Sequence, residues 1–98
     1  MPKMNLGLFI RPTGHHIASW RHPNAHDDAN VNFDRFVNMA ETAERGLFDM
    51  LFSADTNTAW TTVDSALNRQ HYCAWLEPYT LMTALAAHTK HIGLVCTR

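Results

Sequence analysis

Hydrophobic and polar positions divide the chain into short blocks. Met4–Ile10 (MNLGLFI) is a nearly continuous apolar run, and its length fits a buried strand better than a helix. Gly7 inside it predicts close approach of another backbone or of a ligand. Pro12-Thr13-Gly14 breaks the run, and the polar stretch to Val31 reads as a long loop. Asn32 is placed as an N-cap. After it, Phe33, Phe36, Val37, Ala40 and Ala43 recur at helical spacing, with Glu41, Glu44 and Arg45 mostly off that stripe. Gly46 is placed to end the helix. Leu47–Ala54 predicts a second buried strand, with Asp55 directly after it. Thr56–Ala74 has no sustained period and reads as a second long loop with one short helical turn. Glu77-Pro78 opens a second helix, with Pro in the first turn where its missing N–H costs nothing. Its expected buried stripe is Leu81, Met82, Leu85, Ala86 and Thr89, with His88, Lys90 and His91 near the C-terminal end, where cations suit the helix dipole. Ile92–Cys96 predicts a third strand.

Strand, helix, strand, helix, strand implies crossover connections and a parallel sheet. The predicted fold class is α/β: the N-terminal β-α-β-α-β portion of a TIM-type (β/α)8 barrel, with residues 1–98 as one partial barrel domain. A parallel sheet needs both faces covered. Three strands and two helices cover it incompletely and leave an open edge, which invites association.

Composition narrows the function classes. Hydrophobic residues make up 46% of the 98 and charged residues 17%, so the chain is expected to fold rather than stay disordered. A net charge of −1 with no basic run argues against a nucleic-acid partner. No run approaches the ~18 consecutive apolar residues of a membrane span, and Leu6–Ile10 is too short for a signal-peptide core. The expected location is the cytoplasm. Cys73 and Cys96 form neither a metal-ligand spacing nor a disulfide framework and read as free thiols.

The densest chemistry lies in Arg11–Pro23 (RPTGHHIASWRHP), which holds three His, two Arg, a Trp and a Gly. Loops on a rigid scaffold are where binding residues concentrate. His15, His16, His22 and His26 suit acid–base work, a polar pocket wall or metal binding. Their spacing lacks the short, repeated ligand pattern of zinc sites, so no metal is expected. Arg21 suits a carboxylate or phosphate, and equally a solvated loop; Trp20 suits a flat ligand or a loop anchor. Asp55 and Thr97 follow the second and third strands. Strand C-terminal ends face the site in parallel α/β folds, although an Asp or Thr there also serves as a cap or an ordinary strand end.

Pro12–Pro23 (PTGHHIASWRHP) resembles the N-terminal signature of the nitrilotriacetate monooxygenase branch of the bacterial luciferase-like flavin monooxygenases. Similar matches follow in order at Asn32–Asp49, Phe52–Asp55 (FSAD), Leu76–Val95 and Thr97. The resemblance implies a barrel that binds FMN at the strand C-terminal ends. It implies a separate flavin reductase that supplies reduced FMN, and oxygenation of a small organic substrate by O2. It assigns Asp55 and Thr97 to cofactor contact and His15 to the catalytic region beside flavin and substrate. His16, Trp20 and Arg21 match the motif without an assigned role. The sequence departs from the pattern after Thr97, where the polar run of the family is replaced by Arg98. The alternative expectation is a non-catalytic remnant that associates or oligomerises without flavin.

The open sheet edge predicts that this polypeptide alone is marginally stable or self-associating, with a homo-oligomer as the form to look for. Sedimentation and thermal melting across concentrations check this. A sharp, reversible transition from a dilute monomer contradicts it.

Overall fold

A computed structural model describes residues 3–16, 18–55 and 74–97. The expected loop over Thr56–Ala74, and Cys73 within it, lies outside the described residues except for Ala74. Strand β1 spans Gly7–Phe9, helix α1 Phe33–Arg45, strand β2 Met50–Ser53, helix α2 Pro78–Ala86 and strand β3 Gly93–Cys96. The strands form one sheet in the order β1-β2-β3, with both pairings parallel. The alternation expected from the apolar runs is therefore present, with each strand shorter than its run. Pairing continues past the strand ends through Ile10 N–H to the Phe52 carbonyl (2.8 Å) and Thr97 N–H to the Ser53 carbonyl (3.1 Å).

Register puts Leu8, Leu51 and Leu94 in one row. Because side chains alternate across a strand, this row faces the helices, and the rows directly before and after it face the other way. Leu51 and Leu85 are fully buried there, in a core with Ile10, Phe36, Ala40, Ala43, Leu81, Met82 and Ile92. Gly7, Met50 and Gly93 form the next row, on the other face, where Met50 and, further along, Val95 remain exposed. The crowding at Gly7 comes from a side chain of the neighbouring strand. A Cβ there would meet the flexible end of Met50, at 2.8 Å from Cε. At Gly93 the close neighbour is backbone, the Asp49 carbonyl at 3.0 Å.

Local chemistry explains the helix ends. Asn32 Oδ1 accepts from the Asp34 N–H (3.1 Å), and its Nδ2 donates to Asp28 (2.6 Å). Gly46 ends α1, but the left-handed residue is Leu47 (φ 59°). Phe48 N–H then reaches back to the Ala43 carbonyl (3.0 Å) and Leu47 N–H to that of Glu44 (3.0 Å), a Schellman closure. Glu77 caps α2, its two carboxylate oxygens accepting from the N–H groups of Tyr79 (3.1 Å) and Thr80 (2.8 Å). The buried residues of α2 are Pro78, Leu81, Met82 and Leu85; Ala86, the last residue of the helix, is exposed. His88, Lys90 and His91 lie beyond α2, whose last turn holds no basic residue. His88 packs its ring edge-on against Phe33.

Glu44 has a role that its position off the apolar stripe concealed. Its Oε1 accepts from three successive backbone N–H groups, of Lys90 (2.8 Å), His91 (2.6 Å) and Ile92 (3.1 Å). This carboxylate ties the end of α1 to the entry of β3. The three donors, His91 N–H foremost, hold its carboxyl below the ordinary value of 4.5. A group lowered on folding contributes stability above its ordinary value and loses it as pH falls through the lowered one. Glu44→Gln is therefore expected to unfold at lower urea concentration than the parent near neutral pH, with the gap closing in acid. A gap that persists unchanged into acid, or no gap at neutral pH, contradicts the clamp.

Candidate functional site

Two parallel pairings bring three strand C-terminal ends together. There Asp55 and Thr97, which are 42 positions apart, meet directly: the Asp55 N–H donates to Thr97 Oγ1 (3.2 Å). Because that oxygen accepts, its own hydrogen remains for donation to another group. On the same sheet end the rings of Phe9 and Phe52 meet at 5.1 Å, tilted by 54°. Arg11 follows β1, and its guanidinium lies over Phe9 (5.1 Å) and faces the Trp75 ring (5.4 Å). Sequence reasoning passed over Phe9, Phe52 and Arg11. The available signal was a cation directly after the apolar run Met4–Ile10, two residues past an aromatic in the same run.

His15 reaches this end through β1. Its ring stands edge-on to Phe9 at 5.1 Å, and Nε2 lies 3.3 Å from the Phe9 carbonyl. A carbonyl only accepts, so Nε2 carries the proton and Nδ1 of the neutral ring keeps its lone pair. Gly14 makes the path possible. Its φ of +91° is a glycine conformation, and a Cβ would stand 3.3 Å from that of Ser19. Gly14 N–H closes a turn onto the Arg11 carbonyl (2.8 Å), and the Ser19 hydroxyl donates to the Gly14 carbonyl (3.3 Å).

The long loop is not featureless. A 3-10 turn covers Ser19–Arg21, and the Arg21 guanidinium lies 5.9 Å from the ring of Trp20. The four histidines expected to share one wall divide into two groups. His15 belongs to the strand end, whereas His16, His22 and His26 line a separate open recess of about 620 Å³ with Arg21. Among the described residues no group of three or more His, Cys, Asp or Glu side chains is placed to hold a metal ion. Among the same residues no helix is long and apolar enough to cross a membrane.

Comparison with known proteins adds a family. The model of the luciferase-like monooxygenase family matches residues 13–97. The chain is 47% identical to the N-acetyl-S-(2-succino)cysteine monooxygenase of Bacillus subtilis (strain 168), over 97% of this chain and 20% of that protein. It is 42% identical to a pristinamycin IIA synthase subunit of Streptomyces pristinaespiralis, over 94% and 22%. It is 35% identical to nitrilotriacetate monooxygenase component A of Aminobacter aminovorans, over 97% and 22%. The chain thus spans about a fifth of the length of these relatives.

The Asp55–Thr97 bond gives this end of the sheet a direct test. Thr97→Val keeps the shape and removes the acceptor, which is expected to cost ~0.5–1.5 kcal/mol and to speed amide exchange at Asp55. Thr97→Ser is expected to restore the protection. Equal exchange in all three proteins contradicts the bond.

Proposed function

The chain belongs to the luciferase-like monooxygenase family, and from that membership we propose that it is the first three-strand sector of a (β/α)8 barrel holding FMN for a two-component monooxygenase. The observation that carries the proposal is the meeting of Asp55 with Thr97 beside the Phe9–Phe52 pair, at the strand C-terminal end. That donor set suits a flat, hydrogen-bonding cofactor. Aromatic faces accept a planar ring, the Thr97 hydroxyl hydrogen can be donated to a ring acceptor, and Asp55 can accept from a ring N–H. Both helices pack on the opposite face of the sheet from Met50 and Val95, the arrangement a barrel sector has. Residues 1–98 form one partial domain in this reading.

Reduced FMN, when bound, supplies the electrons with which O2 oxygenates a small organic substrate. The tasks of this chain are to orient the ring system with Asp55 and Thr97 and to keep water from it. His15, with Nδ1 unprotonated in its neutral form, takes or returns a proton at the substrate side. A separate flavin reductase delivers the cofactor; two of the relatives are named as one component of a monooxygenase and one subunit of a synthase, which supports a system of more than one protein. Within the family we place the chain in the branch that contains nitrilotriacetate monooxygenase. The 35% identity to nitrilotriacetate monooxygenase component A supports that placement, and the 47% identity to the N-acetyl-S-(2-succino)cysteine enzyme does not favour nitrilotriacetate as the substrate. The cytoplasm is the proposed location, in keeping with a free Cys96 thiol. A second reading, association without flavin, draws on the exposed Met50 and Val95 of the helix-free face.

Flavin fluorescence decides between them. The parent chain is expected to quench FMN saturably, with Asp55→Ala and Thr97→Ala each weakening binding by roughly tenfold. His15→Ala is expected to leave FMN affinity within about threefold, since its proposed work is on the substrate side. No saturable quenching by the parent chain means that the flavin reading fails and association stands.

A further inference from the structure

The recess on the first loop has a donor pattern that the flavin reading does not use. Three imidazoles line it, and each has its Nδ1 held by a group that can only donate. The Ala18 N–H donates to His16 Nδ1 (3.1 Å) and the Asn24 N–H to His22 Nδ1 (3.1 Å). Arg35 Nη2 lies 2.8 Å from His26 Nδ1, and a guanidinium has no acceptor. In all three neutral rings the proton therefore sits on Nε2. The same recess is lined by Arg21 and Thr13. No carboxylate is among the described lining residues. Of the neighbouring acids, Asp28 is engaged with Asn32 Nδ2 (2.6 Å). A wall of N–H donors and one cation, with no carboxylate among its described lining residues, is complementary to an oxygen anion. The imidazoles are not grouped to share a metal ion.

We propose that this recess is a binding site for a small oxyanion, a carboxylate or a phosphate group, received by the Nε2–H groups of His16, His22 and His26 and by the Arg21 guanidinium. The site is distinct from the Asp55–Thr97 end and needs neither flavin nor oxygen. The Nδ1 bonds explain how the loop holds its rings; they leave the Nε2–H groups and Arg21 for a ligand.

The test separates this from a purely structural role for the rings. In the full chain without flavin, long-range 1H–15N correlation of the imidazoles is expected to show the Nε2–H form for all three. Titration with succinate or with inorganic phosphate is expected to move their Nε2 signals along one saturable curve. The tighter of the two identifies the carboxylate or the phosphate as the group recognised. His22→Asn keeps an acceptor where Nδ1 sits, and so keeps the turn, but removes the Nε2–H. It and Arg21→Gln are each expected to weaken binding roughly tenfold with the melting temperature unchanged. The proposal is overturned if neither anion saturates the signals, if both variants bind like the parent, or if zinc moves the rings and neither anion does. None of these outcomes bears on FMN quenching, so the two readings fail separately.

Discussion

Met50–Ser53 is hydrogen-bonded on both sides, to Gly7–Phe9 and to Gly93–Cys96, and both neighbours run parallel to it. The arrangement of chemistry follows from this. Parallel pairing sends all three strand ends the same way, so residues far apart in sequence emerge side by side. Leu51 anchors the pairing because it is fully buried under both helices. A slip of one residue in β2 would turn Leu51 to the exposed face and Met50 into the core. It would also part Asp55 from Thr97.

The opposite end of the sheet is held by carboxylates. Asp49 Oδ2 accepts from the Leu6 N–H (2.8 Å) at the entry of β1, and the Asp49 carbonyl accepts from the Gly93 N–H (2.8 Å) at the entry of β3. Glu44 gathers the three N–H groups just before β3. Backbone donors that no strand partner would otherwise satisfy are met there by side chains. Structural acids thus cluster where the strands begin, whereas aromatic rings, Arg11 and the Thr97 hydroxyl lie where they end. That separation lets one end be read as scaffold and the other as site.

Elements with local causes were legible in the sequence. Asn32 and the Phe36–Ala40–Ala43 stripe fixed helix α1, and Glu77-Pro78 fixed the start of α2, because caps and periodicity act within a turn or two. Strand limits were less legible. Leu47 belongs to the apolar run before β2, yet it takes a left-handed conformation to close the helix. An exposed leucine at 84% accessibility carries no periodic signal of that. Glu44 looked like a solvated face residue because its partners lie 46 to 48 positions away. The division of the four histidines was equally hidden, since it depends on a turn at Gly14 and on Arg35 reaching back from α1. The position of Asp55 and Thr97 at the strand ends was legible from topology and from resemblance, and their direct hydrogen bond follows from the register.

We propose that FMN is received at the strand C-terminal end formed by Phe9, Phe52, Asp55 and Thr97. Backbone amide chemical shifts recorded while FMN is added test it most directly. Saturable shifts are expected at Phe9–Arg11, Phe52–Asp55 and Thr97, with Leu6, Asp49 and Gly93 at the opposite end unmoved. Shifts centred on those opposite-end residues, or spread evenly over the sheet, would contradict it.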